Sequence, residues 1–203
     1  MVLKGNAKAV AAETQAALEA GVSAPEILHQ GYIPAMIEVG CLFEAGEKFV
    51  PEMLIAARVM QKGLEILKPL LVQAEVKTLG KVVIGTVAGD LHDIGKNLVA
   101  MMLEGAGFQI IDLGTDVSPQ KFVEAVQEHE PDLLGMSALL TTTVASIGNT
   151  IEALTDAGVR NKVKVIIGGA PITQDFANKV GADGFSPDAG SVARMAKSLL
   201  GVV

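Results

Sequence analysis

Apolar side chains recur at helical spacing through roughly the first seventy residues of the chain. The pattern is clearest after Pro51, where apolar residues three or four positions apart form one stripe and charged residues lie off it. That stripe comprises Met53, Ala57, Met60, Leu64, Leu67 and Leu71. It predicts an amphipathic helix of about five turns, which Pro69 is expected to end or kink early.

Helix signals also precede this stripe. A first helix is predicted over residues 7–20. Ser23 and Glu26 have the form of a capping box, in which each side chain satisfies a free backbone amide, so a second helix should begin near Ala24. Gly31 and Pro34 indicate a break and a restart after it. Residues 1–76 are therefore expected to form a small helical bundle of about four helices.

After residue 80 the pattern changes to short β-rich runs that alternate with helical runs. Strands are predicted at residues 81–87, 108–112, 132–137, 163–167 and 184–185. Helices are predicted at residues 97–104, 119–128, 143–157, 173–180 and 191–200. This alternation predicts an α/β domain over residues 80–203, Rossmann-like or flavodoxin-like, with a five-stranded parallel sheet and helices on both faces. In such sheets, ligands bind at the carboxyl ends of the strands.

Composition and charge narrow the range of partners. The 203 residues carry a formal net charge of -7, which argues against a nucleic-acid surface because such a surface needs clustered Lys and Arg. Hydroxyl and amide side chains interrupt the longest uncharged run, residues 133–151, so no membrane span is expected. The single cysteine, Cys41, excludes an intrachain disulfide and is expected to be a small apolar filler in a cytoplasmic protein.

The loop after the first predicted strand, residues 85–97, reads GTVAGDLHDIGKN. The imidazole of His92 can bind a transition metal through one nitrogen while a carboxylate accepts a hydrogen bond from the other, and Asp90 stands two residues away. On its own, such a loop is more commonly a solvated polar loop or a helix cap. Lys96 is expected to be solvated, and His29 and His129 to be surface or partly buried polar residues.

Three separated motifs change this interpretation. D-x-H-x-x-G at residues 90–95 is followed after 41 residues by S-x-L at 137–139, and after 28 more by two glycines at 168–169. Each motif lies at or just beyond the end of a predicted strand. In residue types and spacing, this set resembles the cobalamin-binding signature of methionine synthase, the corrinoid mutases and the small corrinoid proteins of methyltransferase systems.

The helical half carries a second resemblance. Residues 39–51, VGCLFEAGEKFVP, together with Ala56, Ala57 and Met60, look like the helical cap that precedes the cobalamin domain in the methyl-transferring relatives. The resemblance therefore covers nearly the whole chain. It implies a corrinoid protein of a methyltransferase system rather than a fragment of a mutase.

The resemblance also implies roles for individual residues. His92 would be the lower axial ligand of cobalt and would replace the cofactor's own base, whose nucleotide tail would enter a slot in the α/β domain. Asp90 would hold His92, and Thr143 stands where methionine synthase has a serine that completes the relay. Ser137 and Leu139 would line the tail slot. The other implied cofactor contacts are Gly89, Leu91, Asp93, Ile94, Gly95, Thr141, Gly168 and Gly169. The paired glycines would leave room for the tail, and Thr141 would lie near the corrin edge.

The same resemblance implies a function and a set of partners. The cobalt would accept a methyl group from a substrate-specific methyltransferase and pass it to a second methyltransferase that acts on a folate or thiol acceptor, with a reductive activase to restore the cobalt. The chain would then be a subunit of a multi-component methyltransferase rather than a complete enzyme. The helical cap would move off the upper face at each transfer. Met53, Val59 and Met60 would either shield the methyl group or only form bundle core.

Other interpretations fit the residues less well. A phosphate-receiver domain shares the parallel layout, but it needs an aspartate after the third strand, where the sequence has Met136 and Ser137. A metal-dependent phosphohydrolase needs more histidines than the three in this chain. A cobalamin-dependent sensor or regulatory module can use the same two modules and is the stronger alternative, although it would normally add a DNA-binding domain.

Overall fold

The computed structural model describes residues 2–74 and 78–202. Its first part is helical, as predicted. A 3-10 turn over Val2–Lys4 precedes helices α1 (Ala7–Glu19), α2 (Ala24–Glu26), α3 (Ile33–Glu44) and α4 (Val50–Gln73). The Ser23 hydroxyl accepts a hydrogen bond from the Glu26 N–H at 3.3 Å, which confirms the predicted helix start at Ala24.

Two prolines behave differently from expectation. Instead of a break at Gly31, residues Ile27–Tyr32 form a π-helical stretch that runs directly into α3. Pro34 lies in the first turn of α3, where its missing N–H removes no helical hydrogen bond. Pro69 does not end α4, which continues beyond it. Pro69 and Glu65, whose carbonyl loses its helical partner, are both exposed, so water can replace the missing bond.

The second part is α/β and has the predicted fold class. Its strands are β1 (Lys81–Thr86), β2 (Gln109–Asp112), β3 (Leu133–Ser137), β4 (Lys164–Gly168) and β5 (Gly184–Phe185). All neighbours pair in parallel, in the order β2-β1-β3-β4-β5. Because β2 lies on one side of β1 and β3 on the other, the loops after β1 and β3 flank a topological switch point, where such sheets bind ligands.

The helices of this part are α5 (Ile94–Gly105), α6 (Pro119–His129), α7 (Ala145–Asp156), α8 (Gln174–Val180) and α9 (Val192–Leu200), with a 3-10 turn at Arg160–Lys162. The predicted strands agree with the observed ones to within one residue at each end. The largest difference is at α5, which begins at Ile94 rather than at residue 97. Gly95 therefore lies in the first turn of α5, close behind the loop that carries His92.

The apolar core is divided by the sheet. One cluster joins the helical bundle to α5 and α9, and the other lies on the opposite face of the sheet, beneath α6 and α7. Met53, Val59 and Met60 are buried in the first cluster, so they are bundle core in this structure and not a shield over an open site. Cys41 is exposed, and its expected role as an apolar filler is wrong.

The two parts of the chain touch through α3 and α4, which both pack against α5. Arg194 on α9 donates a hydrogen bond to Glu44 at 2.8 Å. Nearby, a Cβ built on Gly190 would lie 2.8 Å from the carbonyl oxygen of Gly40, so the backbones approach closely. Residues 75–77, where the predicted first domain ends, lie outside the described residues, and the division into 1–76 and 80–203 stays a prediction. Over residues 2–74 and 78–202, no helix combines the length and apolar character that a membrane crossing requires.

Candidate functional site

In the loop after β1, the Asp90 side chain points inward and the His92 side chain points outward. Gly89 has φ 82°, a left-handed conformation that favours glycine, and the Asp90 N–H bonds back to the Val87 carbonyl at 3.1 Å. This tight turn buries the Asp90 side chain completely, whereas the His92 side chain is 50% exposed. The local backbone thus places a carboxylate beneath an imidazole that faces outward.

The Asp90 carboxylate is surrounded by donors. Its Oδ2 accepts hydrogen bonds from the N–H groups of Leu139 and Leu140, at 2.7 and 3.2 Å, and from the Thr143 hydroxyl at 2.7 Å. Its Oδ1 accepts from the His92 N–H at 3.1 Å and lies 2.7 Å from His92 Nδ1. Burial raises the pKa of Asp90, but these hydrogen bonds outweigh it and hold the pKa well below its usual range. The carboxylate is therefore ionised.

The ionised Asp90 determines how His92 is protonated. A carboxylate without a proton can only accept, so Nδ1 of His92 carries the hydrogen in their 2.7 Å bond. In the neutral ring, the other nitrogen, Nε2, then keeps its lone pair. The ring is half-exposed, so Nε2 can serve as a ligand or as a proton acceptor. The arrangement is that of a metal-binding histidine with its tautomer fixed from behind.

Thr143 joins this group through its hydroxyl. The extra methyl group, compared with a serine, does not prevent the bond to Asp90, and the same hydroxyl lies 2.9 Å from the Leu140 carbonyl oxygen. The Thr143 methyl packs toward Gly89, since a Cβ built there would lie 3.5 Å from it. Sequence could not determine whether this bond forms, because the bond depends on how the turn before α7 is folded.

A cavity of about 610 Å³ opens beside His92, at the carboxyl ends of β1, β3 and β4. Nine of the sequence-predicted contacts line it: Leu91, His92, Asp93, Ile94, Gly95, Ser137, Leu139, Gly168 and Gly169. Gly89, Asp90 and Thr143 lie behind this lining and support it. Thr141 is exposed and is not among the lining residues. The predicted set is thus brought together at one end of the sheet, with Thr141 in the loop between Leu140 and Thr143, which both bond to Asp90.

The two glycines after β4 act through the backbone. Gly169 has φ 135°, and a Cβ there would lie 1.8 Å from the Ala138 carbonyl oxygen. A Cβ on Gly168 would lie 3.3 Å from the Ser186 carbonyl oxygen. Gly169 is therefore required by the close approach of the loop after β3, in addition to any room that the glycines leave in the cavity.

Sequence reasoning missed several residues of the cavity. Lys96 lines it but is only 2% exposed, so its expected solvation is wrong. Its ammonium group contacts the Asp112 carboxylate and the Asn97 side-chain oxygen, the latter at 2.7 Å. Phe43 reaches the cavity from α3. It stands in the cap-like motif of residues 39–51, which was the available signal, whereas nothing in the sequence marks the burial of Lys96.

The site has the chemistry that a corrinoid needs. Apolar side chains around His92 remain exposed, with Leu91 at 73% and Ile94 at 68%, which suits the face of a large flat ring. The adjoining cavity can receive a long substituent of that ring. Across the described residues, His, Cys, Asp and Glu side chains form no group of three or more that could hold a bare metal ion. One histidine would suffice for the cobalt of a corrinoid, because the corrin ring supplies most of that metal's ligands.

Comparison with known families agrees with this geometry. A family model described as a B12 binding domain matches residues 80–193, and a second model with the same description matches residues 1–68. The two matches together cover both the helical part and the α/β part.

Individual relatives match over most of their length. The trimethylamine corrinoid protein 1 of Methanosarcina acetivorans is 45% identical over 186 residues, covering 91% of this chain and 86% of the relative. The dimethylamine corrinoid protein 1 of the same organism is 46% identical over 176 residues, covering 86% of this chain and 83% of the relative.

Two solved structures share the fold. A cobalamin-binding protein from Desulfitobacterium hafniense superposes with a TM-score of 0.81 at 34% identity, covering 98% of this chain and 94% of that one. A methanol:cobalamin methyltransferase complex from Methanosarcina barkeri superposes with a TM-score of 0.88 at 30% identity, covering all of this chain and 77% of the matched one.

Proposed function

Because the chain belongs to the family of B12-binding corrinoid proteins, we propose that it is a methyl carrier that takes a methyl group from one methyltransferase and delivers it to another. When bound, the corrinoid supplies a cobalt atom that can accept a methyl group and release it again. One observation carries the assignment to this site. His92 lines the cavity and keeps a lone pair on Nε2, while the buried Asp90 holds Nδ1.

The residues behind the site hold the His92 ring. We propose that Nε2 of His92 would hold the cobalt of a bound corrinoid, because Nδ1 carries the hydrogen and Nε2 keeps its lone pair. The Asp90 carboxylate, 2.7 Å from Nδ1, would orient the imidazole and make Nε2 a stronger ligand. The Thr143 hydroxyl, 2.7 Å from the carboxylate, helps to keep Asp90 ionised.

The cavity is proposed to hold the nucleotide tail of the cofactor. Ser137 and Leu139 would line this slot together with Gly168 and Gly169, which follow the neighbouring strand, since all four line the cavity. A Cβ built on Gly95, in the first turn of α5, would meet no atom of another described segment within 4 Å, so the surface there is open to a flat ring. Gly89 and Asp90 act from behind this surface.

The partners are proposed on the basis of the relatives. Matching proteins are named for trimethylamine and dimethylamine, and a matching structure comes from a methanol:cobalamin methyltransferase complex. We propose a methylamine-type or methanol-type donor methyltransferase as the first partner. The second is proposed to be a methyltransferase with a folate or thiol acceptor, and a reductive activase would restore oxidised cobalt. Since the cobalt must be kept reduced, we place the protein in the cytoplasm.

The test is a visible spectrum of the protein after anaerobic purification and addition of a cobalamin. The wild-type protein should shift the cofactor from its base-off absorption to that of histidine-ligated cobalt, and His92→Ala should not. His29→Ala is the matched control, because His29 is exposed on the helical part of the chain. Identical spectra for wild type and His92→Ala would contradict the proposal. Methyl loading by candidate methyltransferases then separates a carrier from a sensor.

A further inference from the structure

One residue of a neighbouring loop, Asp116, forms hydrogen bonds to the loop that carries His92. Asp116 lies between β2 and α6, outside every motif named so far. Its Oδ1 accepts a hydrogen bond from the Gly89 N–H at 2.7 Å. Its own N–H donates to the Asp90 carbonyl oxygen at 3.0 Å. These two hydrogen bonds hold the backbone of both residues of the Gly89–Asp90 turn.

Asp116 makes these bonds in an unfavourable backbone conformation. Its φ is 54°, in the left-handed region, and among the described residues Glu130 is the other non-glycine residue with a positive φ. Glu130 ends α6 as its C-cap, which is a common place for this conformation. Asp116 ends no helix. A strained residue of this kind persists when the surrounding contacts hold it, and such residues concentrate at functional sites.

We infer that Asp116 is a positioning residue for His92. By fixing the Gly89–Asp90 turn, it sets the Asp90 carboxylate against Nδ1 of the imidazole, where the two groups are 2.7 Å apart. The inference rests on the proposed role of His92 as the axial ligand of cobalt. Asp116 itself does not reach the cavity; it acts through the backbone of the turn.

Two other side chains, those of Ser146 and Thr86, form hydrogen bonds to this loop before and after the turn. The Ser146 hydroxyl donates to the Ala88 carbonyl at 3.2 Å, and the Thr86 hydroxyl donates to the His92 carbonyl at 2.9 Å. Neither of them bonds to the backbone of Gly89 or Asp90. Removal of the Asp116 side chain should therefore loosen the turn without releasing the whole loop.

The experiment compares the dissociation constant for cobalamin in Asp116→Gly and Asp116→Asn. Glycine relieves the backbone strain but removes the acceptor, and asparagine keeps an acceptor oxygen and tolerates the left-handed conformation. We expect D116G to raise Kd by about tenfold, as the loss of an outer partner of a metal ligand does, and D116N to change it by less than about threefold. Glu130→Gly, at the other strained position, is the control and should leave Kd unchanged.

A double-mutant cycle with His92→Ala separates positioning from general structure. If Asp116 acts through His92, D116G should change Kd by less than about twofold once the imidazole is absent. Equal losses in both backgrounds, no loss in either, or equal losses in D116G and D116N would each overturn the inference. If H92A matches wild type in spectrum and Kd, the proposed function fails first and the inference fails with it.

Thermal unfolding without cofactor accompanies these measurements. D116G should keep a cooperative transition near that of wild type, because the relief of strain offsets the lost hydrogen bond. If D116G does not fold, Asp116→Ala takes its place in the cycle. Failure of both variants to fold would identify Asp116 as a general structural residue and would overturn the inference.

Discussion

Asp90 and Asp183 lie near opposite ends of the same parallel sheet and keep their charge by similar means. Asp90 follows β1 and accepts the Leu139 N–H at 2.7 Å; Asp183 precedes β5 and accepts the Val165 N–H at 2.8 Å. Burial raises the pKa of each carboxyl, but hydrogen bonds, aided at Asp183 by the positive charges of Arg160 and Lys164, prevail and bring the pKa below its usual range. By these criteria the two aspartates are alike.

The two aspartates differ in whether their partners keep a lone pair that can bind a ligand. Asp183 is paired with Arg160 at 2.7 Å and with Lys164 at 3.5 Å, and its charge is satisfied by cations that have no lone pair to offer. Asp90 is paired with His92, which lines the cavity and keeps a lone pair on its second nitrogen. A buried carboxylate thus becomes part of a binding site when its partner keeps an unused ligand atom. Charge and pKa alone do not distinguish the two cases.

The largest effect is expected from glycine substitutions near the two clusters. In Gly169→Ala, the new Cβ would lie 1.8 Å from the Ala138 oxygen, next to the backbone that donates to Asp90. We expect a loss of about 3 kcal/mol in the free energy of unfolding. Gly181→Ala, beside Asp183, has open space and should lose only about 1 kcal/mol, for its left-handed φ of 75°. Urea denaturation of both variants measures the difference, and equal losses would contradict the described packing.

Replacement of each aspartate by asparagine sharpens the comparison further. In Asp90→Asn, an amide NH2 in the place of Oδ1 would force Nδ1 of His92 to accept, so Nε2 would carry the proton and lose its lone pair. We expect histidine ligation of cobalamin to weaken by about tenfold to a hundredfold and the unfolding free energy to fall by about 2 kcal/mol. Asp183→Asn should lose about 1 kcal/mol of stability and leave the cobalamin spectrum unchanged. A changed cobalamin spectrum in Asp183→Asn would contradict the claim that only Asp90 belongs to the binding site.

The low pKa of Asp90 predicts a direction for the pH dependence of stability. Because the folded-state pKa lies below the unfolded one, the contribution of the carboxylate is complete above about pH 4 and is lost as the pH falls toward the folded-state value. The difference in unfolding free energy between wild type and Asp90→Asn should therefore shrink as the pH falls below about 4. Urea titrations at several pH values measure it. A difference that grows below about pH 4 would contradict the ionised state assigned to Asp90.

The smallest effects are expected from the outer partners. Thr143→Val removes one donor to Asp90 and should lose about 1 kcal/mol, while Thr143→Ser keeps the hydroxyl and should be nearly neutral. Lys164→Met removes a half-exposed cation 3.5 Å from Asp183 and should change stability by less than about 0.5 kcal/mol. The midpoints of thermal unfolding rank the stabilities of these three variants. An equal loss of stability in Thr143→Ser and Thr143→Val would show that the Thr143 hydroxyl does not contribute to stability.

Sequence patterns predicted the sheet well because each strand is a short apolar run bounded by turn residues. The meeting of residues 90–95, 137–139 and 168–169 at one edge follows from the parallel arrangement. The order of the strands, β2-β1-β3-β4-β5, was not predicted. The pattern did less well wherever a residue's environment depends on distant parts of the chain. Lys96 is buried because Asp112, at the end of β2, lies within reach of its ammonium group.

The helical part shows the same limit. Apolar periodicity located α4 but could not tell which apolar residues face the cavity, and Phe43 on α3 does so while Met53 and Met60 lie inside the bundle. Local sequence also gave no reason to select Asp116, whose importance comes from two hydrogen bonds to a loop 27 positions away. Contacts between separate loops were therefore the part of the site that sequence could not supply.

The most direct measurement is a crystal structure of this chain with bound cobalamin. We predict that Nε2 of His92 bonds to cobalt, that Nδ1 remains on Asp90, and that the nucleotide tail fills the cavity beside Ser137. A structure in which the cofactor's own base still binds the cobalt, or in which the ring lies away from residues 89–95, would contradict the account.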